Sequence, residues 1–250
     1  MSSPLLLAQI SDCHLYADKD KAGYADIVPY DTLQQVLRLL AEHRPDALLI
    51  SGDLSGDHSR QSYLHLRHLL QTEINSLPVH MIAGNHDDRA LMQATFEEQQ
   101  LLDLAPATYG GWQLHGLNSQ AKGTLGYVSQ QQLEQLTDRV NRHADLHHIV
   151  AVHHHPIAVD GWMDKHQWTN RQIFLKHIDT LPEVKAVLYG HIHRDVHHRR
   201  QECQYWACPS TCWQWGDGAE FGLSTQQPGF RLLRCFDNGE IASQVYRLAD

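Results

Sequence analysis

The sequence predicts an α/β chain built as two packed β-sheets with helices laid against them. Three observations carry that prediction. Short apolar runs alternate with stretches of helical period, five of those runs end in a polar cluster, and the C-terminal part turns into alternating strand-like segments. At 250 residues and 42% hydrophobic content, the chain is long enough for one large core. A single domain over 1–250 is therefore expected, with the antiparallel strands of about 203–248 in the same sandwich.

The elements follow in order. "PLLLAQIS" reads as a first strand, and "DTLQQVLRLLAEH" sets Leu33, Val36, Leu37 and Leu40 on one helical face behind Asp31 as cap candidate. "DALLIS", "PVHMIA", "HHIVAV" and "VKAVLY" are further apolar runs of buried-strand type. Between them, "QSYLHLRHLLQTEI", "SQQQLEQLTDRVNRH" and "RQIFLKHIDTL" carry the helical period. "CQYWACPS", "GFRLLRCF" and "EIASQVYRL" read as antiparallel strands, the last two joined by a hairpin turn at Asp237, Asn238 and Gly239.

Composition narrows the function. A net charge of −9 offers no basic footprint for nucleic acid or an anionic membrane surface. The opening "MSSPLLLAQISDCHL" fits neither a signal peptide nor a span, so a cytoplasmic protein is expected. Cys13, Cys203, Cys208, Cys212 and Cys235 are odd in number and form no C-x-x-C pair, which reads as reduced, buried thiols. The unusual feature is 20 histidines.

The ends of the apolar runs gather the chemistry. The first leads into "SDCH" with Asp12 and His14, which point the same way if the chain stays extended, and the second into "SGD" with Asp53. The third ends in "AGNHDD" with Asn85 and His86, the fourth in "VHHHP", the fifth in "YGHIH" with His191 and His193. In open α/β sheets ligands collect at the carboxyl ends of strands, so these segments are expected to converge. Oxygen and nitrogen donors without thiolate, too many for one tetrahedral ion, suit two ions sharing a carboxylate, with Asp53 as the natural bridge. Iron and manganese fit first, and zinc, cobalt or magnesium lie within the same donor range. Two such ions activate a shared hydroxide and clamp a phosphoryl group, so the expected chemistry is phosphoester hydrolysis.

The series "SDCH", "SGD", "GNHD", "VHHHP" and "GHIH" resembles the motifs of the calcineurin-like metallophosphoesterase superfamily. "CPSTCWQW", "PGFRLLRCF" and "VYRLAD" resemble the bacterial class III cyclic-AMP phosphodiesterases. The resemblance implies a four-layer αββα sandwich of two mixed β-sheets flanked by helices. It also implies that Asp12, His14, Asp53 and His193 hold one ion, and that Asp53, Asn85, His153 and His191 hold the other. Within "HHH" the pattern favours His153; in an extended chain His155 would share its face and His154 would point away. His86 would face the substrate and protonate the departing alkoxide, beside Asn85. Asp87 would either orient that ring or start a helix, and Asp88 would be solvated.

The implied reaction is hydrolysis of 3′,5′-cyclic AMP to 5′-AMP through a metal-bridging hydroxide, in a monomer or homodimer. Alternatives are a broader phosphodiesterase, a phosphomonoesterase on another small substrate, or a non-catalytic metal-binding scaffold. A protein phosphatase fits less well, because Ala83 stands where that branch places an arginine. Trp162, Trp168, Trp213 and Trp215 fall near the motifs and are candidates to stack on a base or to pack. His65, His68, His147, His148, His197 and His198 are expected at the surface or partly buried.

Overall fold

The computed structural model describes residues 3–249, so the ends of the predicted 1–250 domain and the Asp250 that closes "VYRLAD" lie outside it. Three of the apolar runs pair side by side and parallel: Leu5–Ile10 (β1), Ala47–Ile50 (β2) and Val79–Met81 (β3). Between them run the helices Pro29–Glu42 (α1) and Arg60–Glu73 (α2), with Arg89–Thr95 (α3) after β3. Next come Ala107–Tyr109 (β4), Trp112–Gly116 (β5), Gln130–Arg142 (α4), His147–Ala151 (β6), Arg171–Ile178 (α5) and Val184–Tyr189 (β7). The remainder comprises His197–Arg200 (β8), Cys203–Ala207 (β9), Gln214–Trp215 (β10), Leu223–Ser224 (β11), Gly229–Cys235 (β12) and Ile241–Arg247 (β13).

One sheet has the order β13-β12-β1-β2-β3 and the other β4-β5-β6-β7-β9-β8, while β10 and β11 form a separate pair. Both large sheets are mixed, and they face each other across Leu7, Leu49, Ile82, Leu114, Ile149, Leu188, Trp206 and Leu233. On the outer face of the first, Ala8 and Ile10 meet Leu33, Leu37 and Leu66 of α1 and α2. On the outer face of the second, Val150 and Val187 meet Leu136 of α4 and Phe174 of α5. Strands buried on both faces need apolar residues at every position, which is why these runs are continuous. The result is the expected sandwich of two mixed sheets between helical layers.

Several expectations change in detail. The segment 203–207 runs parallel to β7 and antiparallel to β8, so it belongs to the second sheet, whereas β12 and β13 join the first as an antiparallel pair. Asp31 is not the cap of α1: Pro29 occupies the first turn, where its missing N–H is harmless, and Asp31 follows it near the positive end of the helix dipole. Ser59 and Ser129 cap α2 and α4 with their side chains. Strand β5 lacked an apolar signature because Gln113 and His115 are buried in it, Gln113 donating to Thr108 Oγ1 at 3.1 Å. All five cysteines are free and buried, as expected. Among the described residues no helix is long and apolar enough to cross a membrane.

His148, expected near the surface, is fully buried against His115. His148 Nε2 lies 3.0 Å from the His143 carbonyl, which can only accept, so its Nδ1 is bare and accepts from His115 Nε2 at 2.8 Å. Burial pushes His115 down to about 3, with His148 adding to the effect. A histidine neutral in the folded chain and protonated in the unfolded one, where its pKa is about 6.5, stabilises fully above that pH and loses the contribution as pH falls towards 3. Between pH 7.5 and 5.5 His115 should therefore withdraw about 1.4 kcal/mol. Urea melts of the wild type and His115→Gln at both pH values test this: the variant should show a smaller pH difference, and equal differences would refute it.

Candidate metal centre

Parallel strands deliver their carboxyl ends to one edge, and here the turns after β1, β2, β3, β6 and β7 meet. Asp12, His14, Asp53, His191 and His193 all adopt left-handed backbone, with φ of 55°, 44°, 53°, 70° and 45°. Asp12 and His14 thus do not share a direction by continuing an extended strand; they reach it through successive turns. Such residues are strained by roughly 1–3 kcal/mol each and persist where surrounding contacts over-determine them. The contacts are present. Asp12 N–H donates to Gly52 O at 2.9 Å, and His14 N–H donates to Asp53 O at 3.0 Å. His191 N–H donates to the Asp12 carboxylate at 3.0–3.1 Å, and His86 N–H to Asp53 Oδ1 at 2.8 Å.

Two glycines make the approach feasible. A Cβ on Gly52, whose φ is +101°, would lie 2.4 Å from His153 Nδ1. One on Gly84 would lie 2.2 Å from Asp53 Oδ1. In both places the backbone passes against a candidate ligand, and only glycine leaves room.

The side chains gather as two sets, Asp12 with His14 and His193, and Asp53 with His153 and His191, while His86 joins His14 and Asp53 in a third. Hydrogen bonds decide which nitrogens are bare. His153 Nδ1 donates to Ser51 O at 2.9 Å, leaving Nε2 to face Asp53 Oδ2 at 3.3 Å and Asn85 Oδ1 at 3.1 Å. His193 Nδ1 donates to Trp213 O at 2.8 Å, so its Nε2 faces His14 Nε2 at 3.1 Å and Asp12 Oδ1 at 3.3 Å. Lone pairs converging at these distances repel unless a cation lies among them, and backbone carbonyls holding the far nitrogens are the usual support of metal-bound imidazole. His191 Nε2 is buried without a protein partner. The donor chemistry fits a binuclear metal-binding site.

Protonation agrees. Burial would push Asp12 and Asp53 up, yet His193 beside the first and His153 beside the second hold them below the usual carboxylate range. Burial pushes His14 down to about 3 and His191 well below its ordinary value, keeping both neutral. His153 differs: burial opposes charge, but Asp53 pushes it up to about 9, so a proton holds this place until another cation takes it.

The centre opens into a cavity of about 250 Å³ whose lining includes His14, Asp53, Asn85, His86, His191 and His193. Asp12 and His153 are fully buried beneath it. Larger clefts, of about 490 and 520 Å³, are lined by none of the motif residues. All eight sequence-derived site residues therefore lie in or directly under one cavity.

Neighbouring expectations need correction. Asp87 neither orients the His86 ring nor starts a helix: its buried carboxylate accepts from the N–H groups of Gly84, Leu54 and Ser55 and from Tyr63 O–H, tying the turn after β3 to that after β2. Asp88 is exposed but not merely solvated, since it caps α3 by accepting from Ala90 and Leu91 N–H. His154 Nδ1 pairs with Ser119 Oγ, and His155 stacks on the His191 ring at 5.6 Å while its Nε2 meets Asp164. Trp168 packs in the core against Phe174, and Trp213 is buried against His14, while Trp162 and Trp215 line the cavity. Sequence reasoning missed Tyr24, Thr124, Met163, His166 and Phe221 in the cavity wall. It also missed Gln120, whose Nε2 donates to Gly84 O and Asp87 O at 2.7 Å each and so braces both ends of the Asn85–His86 turn. All sit outside regular strands and α-helices, where no periodic signal marks them.

Comparison with known proteins agrees with this geometry. Residues 5–195 match the family described as calcineurin-like phosphoesterase. The chain is 33% identical over 251 residues to the 3′,5′-cyclic adenosine monophosphate phosphodiesterase CpdA of Pseudomonas aeruginosa, covering 98% of this chain and 91% of that protein. It is 32% identical over 252 residues to the 3′,5′-cyclic-nucleotide phosphodiesterase alr5338 of a Nostoc species, covering 98% of this chain and 93% of that protein. A dimetal phosphatase from Danio rerio shares the fold, with a TM-score of 0.64 at 14% identity over 99% of this chain and all of that one. With its motif series, its paired donor sets and these relatives, the chain belongs to the calcineurin-like metallophosphoesterases and is a metal-dependent hydrolase related to the bacterial cyclic-nucleotide phosphodiesterases.

Proposed function

We propose that the protein hydrolyses 3′,5′-cyclic AMP to 5′-AMP at this centre. The observation that carries the reading is that two nitrogen–oxygen donor sets, Asp12/His14/His193 and Asp53/His153/His191, lie in or directly under one small cavity that His86 also lines. Asp12, His14, Asp53 and His193 would hold one ion and Asp53, Asn85, His153 and His191 the other, with iron and manganese best suited to the donors. When bound, the two ions supply positive charge for the phosphoryl oxygens and an activated hydroxide.

The chain's own residues supply the rest. Asn85 contributes a neutral oxygen, so it adds a donor without adding negative charge. The His86 imidazole gives its proton to the ribose 3′ oxygen as the bond from phosphorus to that oxygen breaks, and water completes the 5′-phosphate. Its ring stands edge-on to His14 at 5.0 Å and is partly exposed to the cavity. The relatives named as cyclic-nucleotide phosphodiesterases support the substrate class.

The test is product formation from 3′,5′-cyclic AMP by metal-reconstituted protein, with chromatographic identification of the nucleotide and an EDTA-treated control. The expected product is 5′-AMP, lost in EDTA and restored by metal. Intact cyclic AMP in protein shown to hold two ions would overturn the substrate, and 3′-AMP as product would overturn the assignment of the leaving oxygen.

A further inference from the structure

We infer that Tyr24, Trp162, Trp215 and Phe221 form the seat for the planar heteroaromatic ring of the substrate, the nucleobase of a nucleoside phosphodiester. The inference rests on the cyclic-nucleotide reading and names the part of the cavity that would recognise what lies beyond the phosphate.

These four rings line the same cavity as the metal centre. They are continuous with it, because Trp215 stacks on His193 with ring centroids 4.7 Å apart. Tyr24 lies 5.1 Å from Trp215 and 5.8 Å from Phe221, and Trp162 lies 5.4 Å from Trp215 and 5.1 Å from Phe221. A set packed only for stability would close on itself. Here Tyr24 is 48% exposed and Phe221 54%, so two of the aromatic residues lining the cavity remain open to solvent.

The wall is built rather than loosely draped. Phe221 stands at the end of the loop joining β10 to β11, which Gly216 N–H closes by donating to Gly222 O at 2.8 Å. Trp162 N–H donates to Gly218 O at 3.0 Å and ties that hairpin to the segment between β6 and α5. Tyr24 follows Gly23, whose backbone lies so close to the Trp213 ring that a Cβ would come within 2.2 Å of it.

The cavity's chemistry selects the occupant. None of the thirteen lining residues is Lys or Arg, so it has no second cationic side chain for another phosphate or a nucleic-acid backbone. Ring faces are what remain to hold a substrate whose phosphate sits on the metal centre, and every nucleobase has a face to offer.

The experiment compares 5′-AMP with ribose 5-phosphate, which keeps the sugar and phosphate and lacks the base. Affinities of both are measured by titration calorimetry on metal-loaded wild type, Tyr24→Ala, Phe221→Ala and Phe221→Tyr. Wild type should bind 5′-AMP about 10-fold more tightly or better, within the range of a base stacked on one or two aromatic side chains. Each alanine variant should narrow that gap several-fold with ribose 5-phosphate little changed, and Phe221→Tyr should restore it. Equal affinities in wild type, an unchanged gap in the variants, or parallel loss of both ligands would overturn the seat. Turnover of cyclic AMP by the same wild-type sample is the separate readout. Its failure overturns the substrate reading, while the base-dependent gap in binding still decides the aromatic seat.

Discussion

Asp53→Asn should lose metal and nearly all activity, with kcat/KM falling by about 10³-fold or more. Loss of a residue that only supports a ligand costs about 10–100-fold, and Asp53 stands closer to the centre than that. Its Oδ2 lies 3.3 Å from His153 Nε2 and 3.7 Å from His14 Nε2, so one carboxylate faces both donor sets. Its Oδ1 meanwhile accepts the His86 N–H. The amide keeps nearly the same shape but removes the negative charge that would neutralise two cations and that pushes His153 up to about 9. Elemental analysis of the purified variant, set beside kcat/KM, checks the expectation. Two ions per chain with activity near wild type would show that Asp53 does not bridge the sets.

His86→Ala should behave differently, keeping both ions while kcat falls about 10²–10⁴-fold, the usual contribution of a positioned acid or base. Asp53 and His14 lie within reach of the His86 ring, yet the ring lines the cavity while His153 and His191 complete the Asp53 set without it. The size of the loss should follow the leaving group. An alkoxide such as the ribose 3′ oxygen needs a proton as it departs; 4-nitrophenolate, a far weaker base, does not. The defect should therefore be large with cyclic AMP and shrink markedly with a 4-nitrophenyl diester. Equal losses on both substrates would assign His86 to binding or charge stabilisation instead, and loss of an ion would make it a ligand.

Much of the fold was legible because the cause was local. Runs such as "DALLIS" are apolar throughout since both faces of β2 are covered, and the heptad-like spacing in "SQQQLEQLTDRV" could only bury Leu133, Leu136 and Val140 together as a helix. What stayed hidden has physical reasons too. β5 carries buried polar residues that hydrogen-bond to partners on β4 and β6, far off in sequence or across a turn, so its apolar signal is broken. Strand β9 reads the same whether it pairs parallel or antiparallel; its place beside β7 is a matter of long-range pairing.

The candidate site divides along the same line. By itself the sequence determined the donor types, their order along the chain and their position at strand ends, because the chemistry of a carboxylate or imidazole belongs to the residue. Only the tertiary structure decided how they meet. Left-handed turns at Asp12, His14, Asp53, His191 and His193 aim the side chains, and backbone carbonyls at Ser51 and Trp213 choose which imidazole nitrogen is bare. The same is true of Asp87 and Asp88, adjacent and alike in composition. One is buried under four donors from the turns after β2 and β3 and from α2, and the other caps α3, because different parts of the fold meet each carboxylate. The aromatic wall joins Tyr24, Trp162, Trp215 and Phe221 from three distant segments, and no local pattern encodes a contact between residues so far apart in the chain.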